Sequence, residues 1–150
     1  MLKRWLGLCI LLLAPWALTA QTINVTFRYI PEPNAAPPVR VFVPGQFNNW
    51  GPNASGVIAA GAVSQMDLDA SGAFYKKTIS LTAGQSYMYK MHLHLNTSGT
   101  SNSWISDPLN PKTNPADNNN SVLDVTNPIA FQPAREANTS GQIKAFSVGL

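Results

Sequence analysis

The chain is poor in the groups that most often carry chemistry. Its 150 residues include one cysteine, two histidines and seven carboxylates, and 11% are charged. The one cysteine, Cys9, lies in an apolar run over residues 5–16, so the rest of the chain must fold without disulfides. Nucleophilic acyl transfer needs a serine or cysteine with a base and an orienting group. No cysteine remains for that role, and no serine stands in a Gly-x-Ser-x-Gly frame. Glycoside hydrolysis needs two carboxylates held close together on rigid elements. Glu32 and Glu136 sit in proline-containing segments, and Asp67 and Asp69, which share a face of one short predicted strand, read as solvated. His92 and His94 also share a strand face and offer two zinc donors, but no third follows nearby. They read as a surface pair beside Lys90. With no complete catalytic or metal set, the chain as given is expected to be a non-enzyme that needs no cofactor.

Long hydrophobic runs are scarce too. Lys3 and Arg4 precede the apolar run at 5–16, and Ala17-Leu18-Thr19-Ala20 follows it with small residues. This is the pattern of a secretory signal peptide over residues 1–20, cleaved after Ala20. The run is shorter than the roughly 20 residues that span a bilayer. The expected destination is the periplasm, the cell surface or the medium, with no membrane segment left after cleavage. Lys3 and Arg4 leave with the leader, so the ten basic residues fall to eight against seven acidic ones. Near-neutrality argues against a nucleic-acid partner, which needs clustered positive charge. The remaining length, about 130 residues, supports one core rather than two.

Helical periodicity is missing after residue 20, and alternation replaces it. Ile23, Val25, Phe27 and Tyr29 alternate with polar residues, which predicts a half-buried strand. Residues 31–38 carry four prolines and read as a loop. Val39, Val41 and Val43 alternate with Arg40 and Phe42. Residues 51–65 are rich in Gly, Ala and Ser and read as an exposed connection with little to pack. Short strands are predicted at 65–69 and 74–81. Residues 86–95 form the clearest pattern, with Tyr87, Tyr89, Met91 and Leu93 on the core face and Met88, Lys90, His92 and His94 opposite. The runs 74–81 and 86–95 are expected to pair as a hairpin. A last strand is expected at 121–125. The sum is an all-β, antiparallel β-sandwich spanning residues 21–127. Residues 128–150 read as a linker and a strand at 142–150, which is either a closing edge strand or, the favoured reading, the start of a following domain that the chain cuts short.

One loop stands apart. Pro44-Gly45-Gln46-Phe47-Asn48-Asn49-Trp50-Gly51-Pro52 packs two aromatics and two asparagines between glycines and prolines. Of four tryptophans only Trp50 and Trp104 lie outside the leader, each beside Asn or Ser in a loop-like stretch. Phe47 is expected to pack inward and anchor the loop, and Trp50 to face outward. Sugars offer apolar C–H faces and a rim of hydroxyls, so aromatic platforms flanked by amides and a lysine suit them. Lys90 on the non-core strand face and Asn118, Asn119 and Asn120 ahead of the last strand supply such groups.

The loop Gly45-Gln46-Phe47-Asn48-Asn49-Trp50 resembles the Gly-x-Phe-Asn-x-Trp loop of the glycogen-binding domains, carbohydrate-binding module family 48. These domains occur in the β subunit of AMP-activated protein kinase and ahead of the catalytic barrel in glycoside hydrolase family 13 enzymes. The resemblance continues in order through Gly72-Ala73-Phe74-Tyr75, Leu81-Thr82-Ala83-Gly84, Tyr87-Met88-Tyr89-Lys90-Met91, Trp104-Ile105-Ser106-Asp107-Pro108 and Asn119-Asn120-Ser121-Val122-Leu123-Asp124-Val125. It covers residues 39–125. It implies an early-set, immunoglobulin-like sandwich that binds α-1,4-glucan, starch or glycogen, without chemistry. In that reading Trp50 and Trp104 are the platforms, Lys90 and Asn120 bond hydroxyls, and an amylase-type catalytic domain is the C-terminal neighbour. The chain departs from the pattern at 96–103, which is longer, and at 116–118, where the kinase domain's Leu and Thr have no counterpart. Two alternatives stand beside it: a docking domain of the same fold without sugar binding, and a xylan-binding module of an esterase.

Overall fold

The computed structural model describes residues 20–126. The expected leader, the expected linker and the strand expected at 142–150 fall, apart from residue 20, outside those residues. Eleven strands and one 3-10 turn make up the described region, and every strand pairing is antiparallel.

The chain starts with β1 (Thr22–Tyr29) and crosses the proline loop to β2 (Arg40–Phe42). The 3-10 turn Gln46–Asn48 leads into a small hairpin, β3 (Asn53–Ala54) and β4 (Val57–Ile58), and then β5 (Asp67–Leu68). Next come β6 (Tyr75–Thr82), β7 (Ser86–Tyr89) and β8 (Met91–His94). β9 (Asn102–Ile105), β10 (Thr113–Asn114) and β11 (Asn120–Asp124) complete the described region.

One layer is β1–β6–β5. The other is built from β2–β8–β9 and β10–β11–β7, joined because β7 runs into β8. Alternation explains the core between them. Val25, Phe27 and Tyr29 of β1 face Val41, Val43, Tyr89, Met91 and Leu93 of the opposite layer, and all are buried. The chain is an all-β antiparallel sandwich.

Two expectations about connectivity fail. β6 and β7 are not a hairpin: β6 pairs with β1 and β5, and β7 pairs with β11. The connection instead crosses between layers, with Ala83 N–H donating to Gln21 and Gly84 N–H to Val125. The run 86–95 is also not one ladder. Its pairing changes at Lys90, whose N–H donates to the Pro44 carbonyl. Side-chain alternation continues through that point, because it depends on extended backbone and not on which neighbour accepts the hydrogen bonds.

A third expectation fails by burial. Segment 51–65 is not a bare exposed connection. It holds the β3–β4 hairpin, and its Ile58 and Ser64 are fully buried. It folds over the outer face of β2–β8–β9, where it helps cover Phe42, His92 and His94. The histidines are therefore not a surface pair. They are 0% and 2% exposed.

Candidate functional site

The site is built outward from the 44–52 loop, where each residue has a separate task. Gly45 is required for space: a Cβ there would lie 2.8 Å from both Phe47 Cζ and Tyr89 Cβ and 2.9 Å from the Met88 carbonyl. Gln46 Oε1 accepts from Met88 N–H at 2.7 Å and ties the loop to β7. Phe47 packs inward as expected, with its ring centroid 5.3 Å from Phe27 and 5.9 Å from Tyr87. Asn48 closes the turn from both ends, accepting from Gly45 N–H at 2.9 Å and donating to the Val43 carbonyl at 2.8 Å. Asn49, Trp50 and Gly51 follow in positive φ, at 51°, 54° and 124°. That reversal carries Trp50 away from the core, and its ring is half-buried.

Trp104 is fixed differently. It lies on β9 opposite His92 of β8. One face rests on the His92 ring at a centroid distance of 4.5 Å, and its indole N–H donates to the Gly56 carbonyl at 2.7 Å. Contact and hydrogen bond together set the plane of the indole and leave the rest of it half-buried.

Lys90 sits where the strand changes partners. Its ammonium donates to the Asn118 carbonyl at 2.9 Å. Asn118 and Asn119 both take positive φ, 50° and 53°, in the turn that enters β11. Ser106 Oγ holds the same turn by donating to the Asn119 carbonyl at 2.6 Å. Asn120 is 5% exposed, and its side-chain amide has no hydrogen bond to another described residue.

Trp50, Lys90, Trp104 and Asn120 line a single open depression of about 440 Å³, together with Asp117 and Asn118. The four sequence-predicted residues come from four separate parts of the chain and meet in one place. Asn118 belongs to the asparagine run that the sequence marked. Asp117 was missed, and its only signal is its position at the head of that run. The lining combines two aromatic faces, one cation, one carboxylate and two amides.

Beneath the depression, a polar network locks β7 to the turn that precedes β10. Tyr89 O–H donates to Asp107 Oδ2 at 2.7 Å, Leu109 N–H donates to Asp107 Oδ1 at 2.8 Å, and Asp107 N–H donates to Ser121 Oγ at 2.7 Å. Burial raises the Asp107 carboxyl above its ordinary value, opposed in part by the hydrogen bonds from Tyr89 and Leu109. Burial and the neighbouring Asp107 charge raise the Tyr89 phenol as well, so it stays a donor. Asp69 stands apart from the site, bonded to Lys76 at 2.7 Å and to Ser71.

Among the described residues no group of three or more His, Cys, Asp or Glu comes together to hold a metal ion. No family model matches the chain, and no curated protein matches it in sequence.

Proposed function

We propose that the chain is a non-catalytic carbohydrate-binding module that takes α-1,4-linked glucan in the depression between Trp50 and Trp104. The reading adopts the resemblance to the glycogen-binding domains, and with it an early-set, immunoglobulin-like assignment of the sandwich. The observation that carries it is the convergence of Trp50, Lys90, Trp104 and Asn120 on one open surface. An open depression suits a polymer that must enter from the side. Indole faces cover the apolar side of glucose rings. The Lys90 ammonium, the Asn120 amide and the Asp117 carboxylate offer both donors and acceptors to hydroxyls. Export by the 1–20 leader and service to an amylase-type catalytic domain complete the proposal, and both rest on the sequence.

Affinity electrophoresis against amylose and xylan, paired with melting curves, tests it. Trp50→Ala is expected to abolish retention on amylose with little change in melting temperature, because the ring makes no hydrogen bond to a described residue. Trp104→Ala is expected to abolish retention and also lower the melting temperature, because it removes the Gly56 bond and the cover of His92. Stronger retention on xylan than on amylose would replace the ligand. Wild-type mobility unchanged in both gels would favour the docking alternative.

A further inference from the structure

The outer face of β2–β8–β9 carries its own buried layer, centred on His92 and His94. All four of their imidazole nitrogens are buried without a hydrogen-bond partner among the described residues. Buried polar atoms are nearly always paired, so four orphans on adjacent rings call for a reason. The rings are closely surrounded. His92 lies 4.5 Å from Trp104 and 5.1 Å from His94, and His94 lies 4.7 Å from Phe42, all between ring centroids. A Cβ on Gly99 would fall 2.5 Å from His94 Cε1, so the backbone lies directly on that ring. The β3–β4 hairpin forms a two-stranded sheet of its own. It is held down by buried Ile58 and by the bond from the Trp104 indole to Gly56.

We propose that His92 is a positioning residue: its neutral ring underlies the Trp104 platform, and protonation of the His92–His94 pair lifts the β3–β4 hairpin and frees Trp104, so that glucan is held at neutral pH and released in acid. The ligand named here rests on the glucan reading above. The coupling itself rests only on the ring contacts and the indole bond.

A protonated imidazole carries two N–H donors. The Ser103 backbone faces His92 and the Ile58 backbone faces His94, but no counter-charge does, and burying a charge with only partial hydrogen bonding is costly. Attraction between the cation and the Trp104 face offsets part of that cost, but it supplies no acceptor for the second N–H of each ring. Opening the hairpin admits water to them. The surroundings bring no counter-charge. The 53–58 hairpin, β9 and the 95–101 turn contain no charged residue. On β2 the charged neighbour is Arg40, a cation, which acts against protonation of His94, as the two histidines act against each other. Burial pushes His92 from its ordinary 6.5 down to about 4, opposed by the Ser103 backbone, and pushes His94 down too, opposed by the Ile58 backbone. The opened state therefore binds more protons than the closed one between those values. Closure is fully supported above about pH 6.5 and loses support as pH falls towards about 4.

The experiment follows the Trp104 indole N–H and the two imidazole rings by NMR in the protein between pH 7 and pH 4, with amylose affinity measured in parallel. Trp104→Phe assigns the indole signal, and His92→Phe keeps an aromatic underlay that cannot be protonated. In the wild type, His92 is expected to titrate well below its ordinary value, the indole signal to move and exchange faster in step with it, and amylose affinity to fall about tenfold or more. In His92→Phe the indole is expected to stay protected in acid and the affinity to change by no more than about twofold. An indole signal unmoved while His92 titrates overturns the inference. So does equal acid sensitivity in His92→Phe. If His92→Phe does not fold, the wild-type titration decides alone. If the wild type does not bind amylose at pH 7, the glucan reading fails while the indole and imidazole signals still decide the coupling.

Discussion

Between the two layers of the sandwich, buried polar groups are paired. Tyr89, Asp107 and Ser121 bond one another or the nearby backbone, and Tyr75 O–H donates to the Pro38 carbonyl at 2.6 Å. On the far side of β2–β8–β9, the His92 and His94 nitrogens have no partner among the described residues. The inner layer is apolar alternation closed over a satisfied network. The outer layer is a patch of rings closed by a segment of small residues. Global stability belongs with the first, and the placement of Trp104 depends on the second. A binding surface can thus be supported by a layer that opens more readily than the fold itself.

That separation can be broken or sharpened by substitution. Phe27→Ala removes an inner ring buried against Phe47 and Tyr89 and is expected to cost about 3–5 kcal/mol of global stability. Chemical denaturation should show it as a lower midpoint, while amylose retention survives below the transition. Ile58→Ala empties the outer layer and is expected to cost about 2–3 kcal/mol, felt first as faster exchange of the Trp104 indole N–H. If instead both variants lower the global midpoint alike and leave that exchange untouched, the two layers are one cooperative unit. Gly45→Ala tests the junction of loop and core and is expected to cost about 1–3 kcal/mol, because the Met88 carbonyl at 2.9 Å is backbone and cannot turn aside. It should weaken amylose retention as well, by displacing the turn that carries Trp50. Unchanged melting would show that β7 can retreat from the loop.

The strands that form one continuous ladder were the most legible. β1 follows period two, its core-facing Val25, Phe27 and Tyr29 are those the alternation marked, and β11 falls where the last strand was expected. The site was legible where tryptophan stands out, at Trp50 in its loop and at Trp104 on β9, whose stretch read as loop-like, and where the family resemblance pointed, at Lys90 and Asn120. Their meeting was not, since β7, β9 and the entry to β11 are brought together by pairings that leave no local trace. The hairpin expected between 74–81 and 86–95 failed for the same reason. The outer layer was missed because His92 and His94 fall on the polar side of the alternation and nothing in segment 51–65 looks apolar enough to cover them. Ile58 was the available signal, one large apolar residue in a run of small ones. Asp117 had no signal beyond its neighbours, because a surface aspartate and a site aspartate look alike in sequence.

The left-handed run Asn49-Trp50-Gly51 has a thermodynamic consequence. Positive φ is unfavourable for a residue as bulky as tryptophan. Here it is held by bonds on both sides: Trp50 N–H donates to the Gly45 carbonyl at 2.9 Å, Asn53 Nδ2 donates to the Trp50 carbonyl at 3.1 Å, and Ser64 Oγ donates to the Gly51 carbonyl at 2.7 Å. The unfavourable geometry is settled when the domain folds, before any ligand arrives. A partner that stacks on Trp50 meets a backbone with little configurational entropy left to lose, so association there is a matter of desolvating two flat faces rather than of ordering a loop.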